Sequence, residues 1–152
     1  KIDFGVVSTP FQEEGLNCRK VREIEDIFVA AKSFSAYEGS IHPLKDLEKL
    51  PLIFLEKDTS SRRYVDQFME ANGVELTPEF ELATSDMIVQ FACRGLGVGN
   101  VVRDFAQEQM EKGQLFEVKF ESAIPKRHFC VVTAKDGYLS VAARKLLELM
   151  EK

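Results

Sequence analysis

Residues 84–102 constrain the fold of this chain more than any other stretch. Thr84-Ser85-Asp86 offers side-chain oxygens to the free N–H groups of a helix start. Met87, Ile88, Phe91 and Ala92 follow at i, i+1, i+4 and i+5, which gives the helix one apolar side. Gly95 suits the left-handed conformation that closes a helix, and Gly97-Val98-Gly99 then opens an apolar strand running to Val102. The glycines of this strand allow either another element or a ligand to come close. They do not fit a dinucleotide fingerprint, which follows a strand, opens a helix and needs its third glycine at position 100. Here the order is inverted and the glycine stands at 99.

The same alternation of short apolar strands and amphipathic helices extends along the chain. Strands are predicted at residues 2–7, 25–32, 52–55, 79–83, 98–102, 115–120 and 129–133. The run Ile27-Phe28-Val29-Ala30-Ala31 is apolar enough to be buried on both faces of a sheet. Helices are predicted at residues 43–50, 62–71, 85–94, 104–111 and 139–150. Pro43 opens the first, Asn72-Gly73 closes the second, and Gly113 stops the fourth. This pattern predicts an α/β fold with mostly parallel strands.

Composition narrows the function. A chain of 152 residues suits one domain or two small lobes. Its net charge of −5, with basic residues interleaved among acids, argues against this piece gripping nucleic acid by itself. No apolar run approaches the length of a membrane span, and nothing at the start resembles a signal peptide. The chain opens at Lys1 already in strand-like sequence, so a preceding segment is expected. Cys18, Cys93 and Cys130 are odd in number and lack metal spacing. They read as reduced thiols of a cytoplasmic protein, with Cys93 and Cys130 buried. No metal or cofactor is expected. Asp58 and Asp86 sit at helix starts, where a carboxylate is favourable for structural reasons alone. His42 reads as a turn or cap residue, and Arg127 and His128 as surface ion-pair partners.

Two short proline-bearing segments leave strands and read as crossings between lobes, at residues 9–12 and 122–126. One lobe would then span residues 13–121, with residues 1–8 and 127–152 belonging to a second, partial lobe. In this order, Ile2-Asp3-Phe4-Gly5-Val6-Val7, Asp26-Ile27-Phe28-Val29, His42-Pro43-Leu44, Leu47 through Pro51-Leu52-Ile53, the helix ending at Asn72-Gly73, and Ile88-Val89 through Arg94-Gly95-Leu96-Gly97-Val98-Gly99 together resemble the effector-binding domain of LysR-type transcriptional regulators. The resemblance covers essentially the whole chain. It departs from the family at Val102, where a proline is frequent, and in lacking the helix-turn-helix and the first part of lobe one.

The resemblance implies a two-lobed, periplasmic-binding-protein-like (type II) fold with one lobe complete here. It also implies a small, anionic effector between lobes, and DNA binding only through an N-terminal winged helix-turn-helix of a longer parent, a homodimer or homotetramer without membrane attachment. Transferred residue by residue, the effector site falls on Ser8 and Thr9, on Thr59 and Ser60, on Thr84 and Ser85, and on Asn100 and Val102. Hydroxyls and free helix N–H groups suit a carboxylate or other small anion, although Ser and Thr at these places equally cap helices. No nucleophile–base pair is legible, so the expectation is a sensor and not an enzyme. A transporter's solute-binding protein and an enzyme on the same scaffold are the rival readings.

Overall fold

The computed structural model describes the backbone of residues 5–8 and 16–134, and the side chains of residues 22–128. The chain divides into two compact units, residues 1–24 with 126–152, and residues 25–125.

In the first unit, β1 (Gly5–Ser8), β2 (Leu16–Ile24) and β9 (Arg127–Ala134) form an antiparallel sheet in the order β1-β9-β2. β9 lies between the others, with Val6 opposite Val131 on one side and Ile24 opposite Arg127 on the other. A register shift between Lys20 and Arg22 interrupts the β2 ladder. β2 escapes a reading by periodicity because Leu16-Asn17-Cys18-Arg19-Lys20 carries too little apolar alternation. Its pairing partner, more than a hundred residues away, supplies what the local pattern lacks. The lobe boundary expected at residue 13 is therefore corrected to Glu25, since Leu16–Ile24 belongs with β9. Thr9, the 9–12 segment and the helix expected at 139–150 lie outside the described residues.

The second unit holds a six-stranded sheet in the order β4-β8-β3-β7-β5-β6. Its strands are β3 (Asp26–Ala30), β4 (Ile41–His42), β5 (Leu52–Leu55), β6 (Phe80–Leu82), β7 (Val98–Val102) and β8 (Phe116–Phe120). β5 runs parallel to β6 and β7, and β4 parallel to β8. β3 is antiparallel to both its neighbours, β7 and β8. Five strands thus point one way and β3 alone points the other, so this sheet is mixed and mostly parallel as expected.

Helices cover both faces because β3, β5 and β7 are apolar on both sides. On one face α1 (Ser60–Ala71) packs Val65 and Met69 against Phe28, Leu52, Phe54, Val98 and Val118. On the other, α2 (Ser85–Cys93) and α3 (Arg103–Glu111) pack Ile88, Val89, Ala92 and Ala106 against Ile27, Val29, Ile53 and Val101. The segment expected as a helix after Pro43 is a short 3-10 turn, Leu44–Lys49, which buries Leu44 and Leu47. Among the described residues, both core clusters are built from the second unit.

Candidate functional site

Three parallel strands end on one edge of the second unit's sheet, and each leads directly into a helix. β5 leads to α1, β6 to α2 and β7 to α3. Register aligns the ends, since Leu55 lies opposite Leu82 and Ile53 opposite Gly99. With neighbouring strands about 4.8 Å apart, this edge gathers three helix N-termini along a short front. Free N–H groups and the positive end of each helix dipole favour negative charge there. Thr59, Ser60, Thr84, Ser85 and Val102 all stand on this edge.

Their side chains are engaged to different degrees. Thr59 caps α1, accepting from the Arg62 N–H at 3.1 Å and donating to the Glu56 carbonyl at 2.9 Å. Thr84 caps α2 with a longer bond, accepting from the Met87 N–H at 3.3 Å, and is exposed. Ser60 and Ser85 are the first residues of their helices, exposed and half-buried respectively. Val102 precedes α3 without a side-chain cap. Asn100 is buried and its amide nitrogen donates to the Ile27 carbonyl at 3.2 Å, tying β7 to β3. Ser8 ends β1 in the first unit, with its backbone opposite Phe129.

The glycines serve packing. A Cβ on Gly97 would come within 2.7 Å of the Pro51 carbonyl oxygen, and one on Gly99 within 2.8 Å of the Ile88 side chain. Their absent side chains let β7 lie against β5 and under α2. Gly95 adopts φ 76° and closes α2, as its sequence position predicts.

Arg103, at the start of α3 on the same edge, was not legible as a site residue. Its guanidinium donates to both Glu25 oxygens at 2.8 and 3.1 Å and to Glu117 Oε1 at 2.7 Å. The bond to Glu25, joined by that to Glu117, raises its pKa despite partial burial. An arginine at a helix start is disfavoured by the dipole, and these two carboxylates offset that cost. The sequence signal is a basic residue just after a strand; its partners lie 78 and 14 positions away, on other elements.

The remaining polar residues have local roles. His42 Nε2 is 2.8 Å from Ser40 Oγ, its ring meets Tyr37 in a tilted contact with centroids 4.7 Å apart, and Asp46 lies 3.7 Å from Nδ1. Arg127 is buried rather than on the surface, whereas His128 approaches Glu23 at 3.8 Å. Cys93 is half-buried, and burial pushes its thiol pKa up, away from the nucleophilic range. Among the described residues no group of His, Cys, Asp and Glu is arranged to hold a metal, and no helix is long and apolar enough to cross a membrane.

The family model of the LysR substrate binding domain matches residues 1–152. A probable RuBisCO transcriptional regulator of Cyanophora paradoxa is 26% identical over 135 residues, covering 87% of this chain and 42% of that protein. The HTH-type transcriptional activator CmpR of Synechocystis is 22% identical over 148 residues, covering 97% of this chain and 49% of that protein. The chain thus spans about half the length of the curated relatives it matches. Among solved structures, the regulatory domain of Synechocystis CcmR in complex with 2-PG superposes with a TM-score of 0.85 at 21% identity, over 98% of this chain and 72% of that one. The effector binding domain of QuiR in complex with shikimate gives 0.78 at 13% identity, over 98% and 69%. These likenesses establish the type II periplasmic-binding-protein-like fold, and the relatives are transcriptional regulators. By the match over its whole length, the chain belongs to the LysR substrate-binding domain family.

Proposed function

We propose that this chain is the effector-sensing part of a bacterial LysR-type regulator, that it holds a small anionic metabolite between its two lobes, and that occupancy changes DNA binding by a winged helix-turn-helix of the longer protein. The observation that carries the reading is the gathering of three helix N-termini, with the Thr84, Ser60 and Ser85 hydroxyls, on one sheet edge. Such an edge is where open α/β sheets take ligands. Ser8, Thr9, Thr59, Asn100 and Val102 complete the proposed set of effector-binding residues. The relatives favour a cytoplasmic, oligomeric sensor over a transporter component or an enzyme, because they are transcriptional regulators. Two structural neighbours, the CcmR regulatory domain with 2-PG and the QuiR domain with shikimate, are complexes with small molecules.

The test is a thermal-shift and calorimetric screen of the full-length protein against small carboxylates and phosphorylated carboxylates, with 2-PG and shikimate included. A stabilising anion should bind about three- to tenfold more weakly after Ser60→Ala or Ser85→Ala, the worth of one hydrogen bond. Stabilising ligands indifferent to both substitutions, or only uncharged and cationic hits, would defeat the assignment.

A further inference from the structure

The ladder between β3 and β8 ends at Phe28 opposite Val118. β3 nevertheless begins two residues earlier, at Asp26, and β8 continues to Phe120 alongside β4. Where pairing stops, the second unit contains a hollow of about 190 Å³. Its apolar lining comes from Phe28, Ile41, Val118, Phe120 and Ile124.

We propose that this hollow is a binding site for an uncharged single-ring aromatic molecule. Size is the first argument, because an apolar cavity of about 150 Å³ lined by Leu, Ile and Phe takes benzene. Ring geometry is the second. Phe54, Phe28 and Phe120 form a chain of edge-on and tilted contacts, with centroids 6.1 and 5.3 Å apart and interplanar angles of 55° and 80°. A guest ring against Phe28 and Phe120 extends that chain in a geometry aromatic groups favour. The third argument is Ile41, which lines the hollow yet is 65% exposed, the highest value among the large apolar side chains described. A bound ring would take its aliphatic surface out of water.

Charge selects against an anionic guest. Among the described lining residues, Glu25, Asp26 and Glu117 are acidic and Lys119 is the one cation, and Arg103 is already shared between Glu25 and Glu117. Among the described lining residues acids outnumber cations, which disfavours a carboxylate. The site thus differs in chemistry from the strand-end hydroxyls proposed above and stands or falls separately from them.

The experiment is saturation-transfer NMR and calorimetric titration of the intact chain with phenol and with benzoate. Three variants accompany it: Ala123→Trp, which fills the hollow from an exposed position; Ile41→Asn, which removes the apolar lip; and Thr84→Ala, which touches only the other site. Thermal midpoints verify folding. Saturable phenol binding that is lost in Ala123→Trp, weakened in Ile41→Asn and unchanged in Thr84→Ala supports the site, with any benzoate binding unaffected by Ala123→Trp. The proposal is overturned if phenol shows no saturable binding, if it binds all variants alike, or if benzoate binds tighter than phenol and loses that binding in Ala123→Trp.

Discussion

At the scale of single residues, Gly97 and Cys93 show how neighbours decide a side chain's role. Adding one carbon at Gly97 drives it into the Pro51 carbonyl, a backbone atom that cannot turn away. Gly97→Ala should therefore lose about 1–3 kcal/mol of stability, read as a lowered urea midpoint at unchanged slope. Cys93 is half-buried, and desolvation raises its pKa above the ordinary value near 9.0. Below the unfolded value both states hold the proton and the contribution is fully present. As pH rises through the folded value it is lost, because the unfolded thiol ionises first. Iodoacetamide at about pH 8 should then label Cys93 more slowly in the folded chain than in urea, as peptide mapping would show. Equal rates would contradict the burial.

At the scale of elements, caps and one buried arginine fix how the helices meet the sheet. Thr59 both accepts and donates at the start of α1, while Thr84 makes a single longer bond at the start of α2. Thr59→Ala should cost about 1–2 kcal/mol and Thr84→Ala about 0.5–1 kcal/mol, measured by denaturant unfolding. Arg62 is 3% exposed and ties α1 to β5 and β6. It donates to Asp66 at 2.8 Å, Glu81 at 2.7 Å and the Leu55 carbonyl at 2.9 Å, and lies 5.2 Å above the Phe54 ring. Burial opposes its charge, and the bonds to Asp66 and Glu81 more than compensate. Both acids are 39% exposed and rehydrate when the arginine is removed, which moderates the loss. Arg62→Ala should cost about 2–3 kcal/mol, and Arg62→Met, which keeps the stem's packing, about half as much. The cap at Thr84 is legible from Thr followed by a helical pattern, whereas α1 begins at Ser60, two residues before the expected Arg62, because Ser60 and Ser61 read as loop. The partners of Arg62 were not legible, because Glu81 approaches only when β6 pairs with β5.

At the scale of the whole molecule, the second unit owns its core. Among the described residues, both apolar clusters draw on residues between Ile27 and Ile124. A fragment of residues 25–125 should accordingly unfold cooperatively by itself, with coincident circular-dichroism and fluorescence transitions. A broad, non-cooperative melt would mean that its stability depends on the first unit. Within this unit Arg103 closes the longest polar link, fastening β7 and α3 to Glu25, where the chain joins the sheet, and to Glu117 on β8. Arg103→Lys should recover only part of the stability lost in Arg103→Ala, because an ammonium cannot span both Glu25 oxygens and Glu117 in one plane.

The sequence alone determined the α/β class, the helix start at Thr84, the helix stop at Gly95 and the burial of β3 on both faces. These depend on periodicity and on side chains bonding within a few residues, so short windows contain their physics. Only the tertiary structure decided that β2 belongs with β9, that β3 runs against its neighbours, that Asn100 serves Ile27, and that Gly97 and Gly99 serve packing. Each of these depends on partners far away in the chain, where strand order and register choose among many pairings that local sequence leaves equally favourable.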